Sequence, residues 1–195
     1  MTRSPTSCRT AAALALIVGL LLAGCAAGGP SPSATGSGSA AASASEPTES
    51  LPPFACAPTI TIPATADRAQ ITDVRVSTHQ AYDRVVFEFA GGIPQTVIAG
   101  VLPPFFRDPS GLPVDVAGAT FLNVTMHGGT KLRPEGGVTY AGSTNFEPAF
   151  AQLVQLIEGG DFEANSTWYL GLDPGGCIRV LTLAGPSRLV IDIEH

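Results

Sequence analysis

Cysteine chemistry dominates what this chain of 195 residues could do. Cys25 closes the string Leu22-Ala23-Gly24-Cys25, directly behind an apolar run from Ala11 to Leu22 and the basic flanks Arg3 and Arg9. A thiol placed there, with small side chains before it to suit a narrow peptidase cleft, has the pattern of a bacterial acceptor for a diacylglyceryl group. It implies a signal peptide over 1–24 and a lipidated Cys25 as the mature N-terminus. The rival is an ordinary secretory peptide cleaved after Ala26 or Ala27. A membrane-spanning helix fits poorly, because it needs roughly 20 apolar residues and this run is shorter. Two or more acyl chains give stable anchoring, so the expected location is the cell membrane, on its extracytoplasmic face. Cys8 leaves with the signal peptide. Cys56 and Cys177 then remain in an oxidising compartment, which predicts a disulfide between them. The loop so closed, of about 120 residues, would contribute about 4–5 kcal/mol by chain entropy. The alternative is two unrelated thiols, one buried and one free.

Other reactive groups are sparse. A nucleophilic triad needs a base, normally His, beside a Ser or Cys. His79 and His127 sit in turn-like strings and His195 is terminal. The chain has no Gly-x-Ser-x-Gly elbow and no His-Glu-x-x-His pair, nor a local spacing of His, Cys and carboxylate that suits a metal. No catalytic residue, metal ligand or cofactor is therefore expected. Asp161-Phe162-Glu163 is the densest acidic spot. Paired carboxylates of this kind could serve glycoside hydrolysis or a weak cation site, although an acidic turn between Gly160 and Asn165 is more simply a solvated loop.

Aromatic rings could stack on sugars. Trp168 shares a face with Leu170 and Leu172 and so reads as core, whereas Tyr169 points the other way and Tyr140 follows a Gly-Gly pair, making both candidates for an exposed platform. Phe105, Phe106 and Arg107 form a loop stiffened by Pro103-Pro104 and leading into Asp108-Pro109-Ser110-Gly111. That loop either plugs the end of the domain or stands out as a contact site. Tyr140, Tyr169, Phe105, Phe106 and Arg107 are the candidate ligand-binding set.

The elements that must position these groups are strands. The tether over 25–53 consists, after Cys25, almost wholly of Ala, Gly, Pro, Ser and Thr, with nothing to bury, and is expected to be disordered. Its 28 residues from Ala26 span roughly 30 Å on average and about 90 Å extended. The 142 residues from Phe54 to His195 suffice for one domain with its own core. Within 54–195, runs of β-branched and aromatic residues recur between Gly, Pro, Asp and Asn, the pattern of an all-β sandwich of short, mostly antiparallel strands. Strands are expected at Thr59–Ile62, Ile71–Ser77, Tyr82–Phe89, Gln95–Val101, Leu112–Val116, Leu122–Met126, Ser166–Leu172, Ile178–Leu183 and Arg188–Ile193. Pro148–Glu158 stays open between helix and strand, since Phe150, Leu153, Val154 and Ile157 fit a helical face while Val154 and Leu156 also alternate.

One pattern occurs twice. Arg84-Val85-Val86-Phe87-Glu88-Phe89 and Arg188-Leu189-Val190-Ile191-Asp192-Ile193 both read Arg, apolar, Val, apolar, acid, apolar. If they pair antiparallel with Val86 opposite Val190, Arg84 faces Asp192 and Glu88 faces Arg188. The bland alternative is that any half-buried strand looks like this.

Taken together, Tyr82-Asp83-Arg84-Val85-Val86-Phe87-Glu88-Phe89, Asp161-Phe162-Glu163, Trp168-Tyr169-Leu170-Gly171-Leu172, Arg179-Val180-Leu181-Thr182-Leu183 and Pro186-Ser187-Arg188-Leu189-Val190-Ile191-Asp192-Ile193 resemble the AMIN-like domain of lipoproteins from high-GC Gram-positive bacteria. The similarity runs from about Ala69 to Ile193. It implies a β-sandwich related to the AMIN domains that target amidases and pilus secretins to the envelope, and a strand over Pro148–Glu158. It implies peptidoglycan or another envelope polymer as partner and supplies no catalytic residues. The charge balance agrees with that partner class. Removing Arg3 and Arg9 leaves eight basic against sixteen acidic residues, a net −8, which disfavours nucleic acid and anionic headgroups. The expected function is a lipid-anchored, non-catalytic binding module. The alternative is a small-ligand-binding or regulatory lipoprotein acting on a partner envelope enzyme.

Overall fold

Short stretches rich in Val, Ile, Phe and Thr, each stopped by turn-forming residues, fold here as strands. The computed structural model describes residues 51–56 and 59–195. The expected signal peptide, Cys25 and the expected tether up to residue 50 lie outside the described residues. Thirteen strands follow in order: β1 (Thr59–Ile62), β2 (Ala69–Thr78), β3 (Tyr82–Ala90), β4 (Gln95–Gly100), β5 (Phe105–Arg107), β6 (Leu112–Val114), β7 (Thr120–His127), β8 (Gly129–Thr130), β9 (Asn145–Phe146), β10 (Leu153–Phe162), β11 (Asn165–Leu172), β12 (Ile178–Leu183) and β13 (Ser187–Glu194). One sheet has the order β1-β4-β7-β11-β10-β9 and the other β12-β13-β3-β2-β8. Neighbours run antiparallel except β2 and β8, where Ala69 and Gln70 lie parallel to Gly129 and Thr130. β5 and β6 form a separate hairpin. The architecture is the all-β sandwich that the strand pattern predicts.

The core fills the space between the two sheets. Alternation turns Val85, Phe87 and Phe89 of β3 and Leu189, Ile191 and Ile193 of β13 inward, against Ile98, Val124, Met126, Leu156, Trp168 and Leu170 of the six-stranded sheet. Phe87 and Trp168 meet edge to face at 5.4 Å. Full burial of such a side chain contributes roughly 1.5–3 kcal/mol, so this seam joins the layers. The indole Nε1 of Trp168 donates to Ser166 Oγ at 3.0 Å, which satisfies its one polar atom. Asp83 lies fully buried among these apolar groups. Its carboxylate accepts from the backbone N–H of Gln152 at 2.7 Å and of Leu153 at 2.9 Å, and meets His195 Nε2 at 3.0 Å. One side chain thereby ties β3 to the start of β10. Burial pushes the Asp83 pKa up, but the Leu153 and Gln152 N–H groups, with Thr78 and His195, hold it below its ordinary value.

Three register shifts, one in β2 and two in β10, explain where simple alternation misleads. In β2 the register shifts between Ile71 and Asp73, so Ile71 and Val74, three residues apart, both face the core. In β10 shifts fall at Leu153/Gln155 and Glu158/Gly160, and Leu153 and Leu156 are both buried. That spacing of three imitates a helix, yet the segment is a strand from Leu153 on; residues 148–152 precede it as irregular chain. Gly159 and Gly160 are strand residues as well. A Cβ on Gly159 would meet the Tyr169 ring at 2.5 Å, and Gly160 lies against the carbonyl of Asp108.

The hairpin of β5 and β6 covers part of the outer face of the six-stranded sheet. Phe105 points inward, 4.9 Å from the Tyr169 ring and 5.0 Å from Phe121, and Val114 completes this small second core. At the opposite sheet, Phe54 and Ala55 lie beside Arg179 and Ile178 at the start of β12. Ala55 and Ile178 exchange both backbone hydrogen bonds, at 2.8 and 3.0 Å. Next to them Cys56 and Cys177 form a disulfide, with Cα atoms 4.5 Å apart. The predicted pairing of these two cysteines is therefore present.

Candidate functional site

Strand register sets the outer face of the five-stranded sheet in rows. One row runs Arg179, Asp192, Arg84, Ser77; the next Leu181, Val190, Val86, Arg75; the third Leu183, Arg188, Glu88, Asp73. The antiparallel pairing of β3 and β13 has Val86 opposite Val190, as the repeated pattern predicts. Asp192 is 0% exposed. Arg84 Nε and Nη2 donate to its Oδ1 and Oδ2 at 2.6 and 3.0 Å, while Arg179 Nε and Nη2 both donate to Oδ2, at 3.0 and 2.6 Å. The Phe54 ring covers the Arg179 guanidinium at 4.4 Å, and the Tyr82 ring lies 5.0 and 5.2 Å from the guanidiniums of Arg84 and Arg179. Burial alone would raise the Asp192 pKa; the bonds from Arg84 and Arg179 hold it below the usual value instead. The second predicted ion pair does not form. Glu88 turns to Arg75 at 3.1 Å, Arg75 also pairs with Asp73, and Arg188 Nε donates to the Pro186 carbonyl at 3.3 Å. The bulge in β2 brings Asp73 opposite Glu88, beside the Arg75 row, and this offers Glu88 a partner that the two repeated strings could not reveal. Along these rows the charges are largely committed to one another.

Uncommitted polar groups gather at the other edge, where the chain crosses beside β2. The base of the segment from Lys131 to Tyr140 is firmly held. Thr139 N donates to Lys131 O at 2.7 Å, and Thr139 Oγ1 to Ile71 O at 2.6 Å. Asp161 accepts from Thr130 Oγ1 and Lys131 N, both at 2.7 Å, and Lys131 Nζ pairs with the buried Glu158. The tip is a turn closed by Gly136 N to Arg133 O and by Arg133 N to Gly137 O, both at 3.1 Å. Gly136 and Gly137 have φ of 96° and 84°, a region that residues with a Cβ rarely adopt. Between this tip and the outer face of β2 lies a cleft of about 520 Å³, lined by Gln70, Thr72, Ala90, Arg133, Pro134, Glu135 and Thr139. Arg133 and Glu135 are exposed. Among the described residues, neither forms an ion pair. The cleft thus presents both signs of charge, the Gln70 amide and the Thr72 hydroxyl to solvent, with the Thr139 hydroxyl spent on the Ile71 carbonyl.

The residues singled out from sequence are distributed differently. Tyr169, Phe105, Phe106 and Arg107 come together at the β5–β6 hairpin, but Tyr169 is only 9% exposed and Phe105 is buried beside it. Tyr169 Oη donates to Phe106 O at 3.2 Å, so it clamps the hairpin and is not an exposed platform. Tyr140, 7% exposed, sits in the main core and donates to Ser143 O at 2.7 Å. The expectation of an exposed platform is corrected for both tyrosines: each occupies an apolar pocket and turns its hydroxyl to a backbone carbonyl. The Phe105–Arg107 loop does both things expected of it in the alternative. Phe105 plugs inward, Phe106 stands out at 52% exposure, and Arg107 is half-buried. Asp161 is spent on Thr130 and Lys131, and Glu163 occupies the β10–β11 turn with φ of 50°. His79 stacks on Tyr82 at 4.6 Å, and His127 meets Asn165 Oδ1 at 3.1 Å. The cleft residues escaped sequence reading. Their one local signal is Arg133-Pro134-Glu135-Gly136-Gly137, two opposite charges on a sequence fit for a tight turn.

A comparison with curated proteins and one with solved structures each find no match. A family model, the AMIN-like domain, matches residues 69–195, from the first residue of β2 to the end of the chain. That span holds the outer-face rows, the cleft and the β5–β6 hairpin, and by it the chain belongs to the AMIN-like domain family.

Proposed function

We propose that the chain is a lipid-anchored, extracytoplasmic module that binds peptidoglycan or another component of the cell envelope and has no catalytic chemistry of its own. The cleft beside β2 carries this reading. It offers solvent-facing hydrogen-bonding groups of both charges on a firmly held base, whereas most other charges on the same sheet are paired. Membership of the AMIN-like family supports an envelope partner, and Cys25 behind its apolar run supports the anchor. A net charge of −8 after loss of the signal peptide disfavours polyanions. The test is co-sedimentation of the full-length protein, in mild detergent, with purified sacculi. Retention is expected, and protein left wholly in the supernatant rejects the reading. In cells, Cys25→Ser is expected to leave the membrane fraction; an anchored, normally processed Cys25→Ser protein rejects lipidation.

A second reading rests on the hairpin. Phe106 and Leu112 of the hairpin, and Leu102 just before it in the chain, are 52%, 62% and 85% exposed, apolar side chains suited to a partner protein. Under this reading the chain is a regulatory lipoprotein acting on an envelope enzyme. Co-purification of a protein without retention on sacculi selects it.

A further inference from the structure

We infer that the cleft beside β2 recognises the zwitterionic end of a peptide, an ammonium and a carboxylate carried close together, and not a sugar ring; the inference rests on the envelope-binding reading above. The lining decides the class. Sugar sites stack rings on aromatic faces, and among the described residues no aromatic side chain lines this cleft. What lines it is a guanidinium and a carboxylate two residues apart, with Gln70, Thr72 and Thr139 behind them. The planar fork of Arg133 matches a carboxylate through two parallel hydrogen bonds. Glu135 supplies the acceptor that an ammonium needs. The Gln70 amide and the Thr72 hydroxyl are donor and acceptor together, the combination that pairs with a peptide group.

Position reinforces chemistry. Pro134 fixes the backbone between the two charges, and the turn is closed by two hydrogen bonds, so little freedom is lost when a ligand is seated. The base of the loop is held by Asp161, Glu158 and the Ile71 carbonyl. A volume of about 520 Å³ accommodates one or two amino-acid residues and leaves the rest of a polymer outside. A ligand group of zero net charge also enters an acidic protein without long-range repulsion.

The experiment titrates full-length protein in mild detergent with a wall-type tripeptide ending in a diamino acid whose side chain bears a free ammonium and a free carboxylate. The same tripeptide acetylated on that amine is the comparison, and retention on intact sacculi and on glycan strands stripped of peptide is measured in parallel. The free tripeptide is expected to bind, and acetylation to weaken it at least tenfold. Arg133→Gln and Glu135→Gln, both at exposed turn positions that leave the core untouched, are each expected to weaken binding by a similar factor. In Glu135→Gln the effect of acetylation should vanish. Binding of the tripeptide that neither substitution alters overturns the assignment to this cleft. Retention on stripped glycan without tripeptide binding overturns the peptide class while leaving the envelope-binding reading intact. Loss of retention on intact sacculi overturns that reading itself.

Discussion

Replacing Asp192 by Asn tests the row that joins β12, β13 and β3. The carboxylate is fully buried and takes four hydrogen bonds from two guanidiniums. Asparagine keeps the shape but removes the negative charge and turns an amide N–H₂ toward one of the donors. Two cations then face each other across a neutral group. The Arg84 side chain is 24% exposed and has some water to turn to; Arg179, at 9%, has little. Breaking a buried ion pair by removing one partner costs about 3–5 kcal/mol, and Arg179 accounts for the larger share. Domains of this size have roughly 5–15 kcal/mol to lose. Urea unfolding of the wild type and Asp192→Asn at pH 7 should therefore give midpoints far apart with similar slopes. The pH dependence supplies a second reading. The Asp192 pKa is lowered on folding, so its contribution is fully present above the unfolded carboxylate pKa of about 3.9 and is lost as pH falls through the lower folded value. The gap between wild type and Asp192→Asn should narrow below about pH 4. A triple variant with apolar side chains at 84, 179 and 192 should recover much of the loss, because the guanidiniums left without a partner are then gone. A loss under about 1 kcal/mol in Asp192→Asn, unchanged by pH, refutes the reasoning.

Cys177→Ser should lower stability by about 4–5 kcal/mol, the chain-entropy value for a bond between residues 121 apart; equal urea midpoints for oxidised and reduced protein would contradict it. Phe105→Ala should cost about 3 kcal/mol by emptying the pocket against Tyr169 and Phe121. Hydrogen exchange at the Asp108 amide, bonded to Gly159 O at 2.7 Å, should speed up with it, and an unchanged rate would show that Phe105 does not seat the hairpin.

Legibility in the sequence followed the range of the interaction. The pairing of β3 with β13 was readable because each strand carries its own apolar stripe and the charges beside it allow one antiparallel register. The sandwich and the Cys56–Cys177 bond were readable for similar reasons, one from local alternation and one from compartment chemistry. The β10 segment was ambiguous because its bulge breaks the alternation: Leu153 and Leu156 both face the core, so the Val154–Leu156 alternation that spoke for a strand does not describe its inward face. The tyrosines misled because a ring that leaves one apolar face can enter another. Tyr169 turns away from the main core and is covered by a hairpin whose landing place, Gly159, lies in a different strand. The cleft joins β2 to a turn some sixty residues later, and nothing in either string announces the other.

The stitch at residues 55 and 56 also decides how the domain bears load. A pull arriving from the N-terminal side meets Cys56 and crosses to Cys177 before it reaches β1. The direct chain route from Cys56 into β1 is thus bypassed, and tension enters the sandwich at β12, the edge strand of the five-stranded sheet farthest from the β2–β8 side. If the cleft holds a fixed polymer while the N-terminus is drawn away, the force runs sideways through β12, β13, β3 and β2, across the hydrogen bonds between strands and along the Arg179–Asp192–Arg84 row. The six-stranded sheet lies outside that path, and the side-chain ion pairs reinforce the part of the fold that would be stretched.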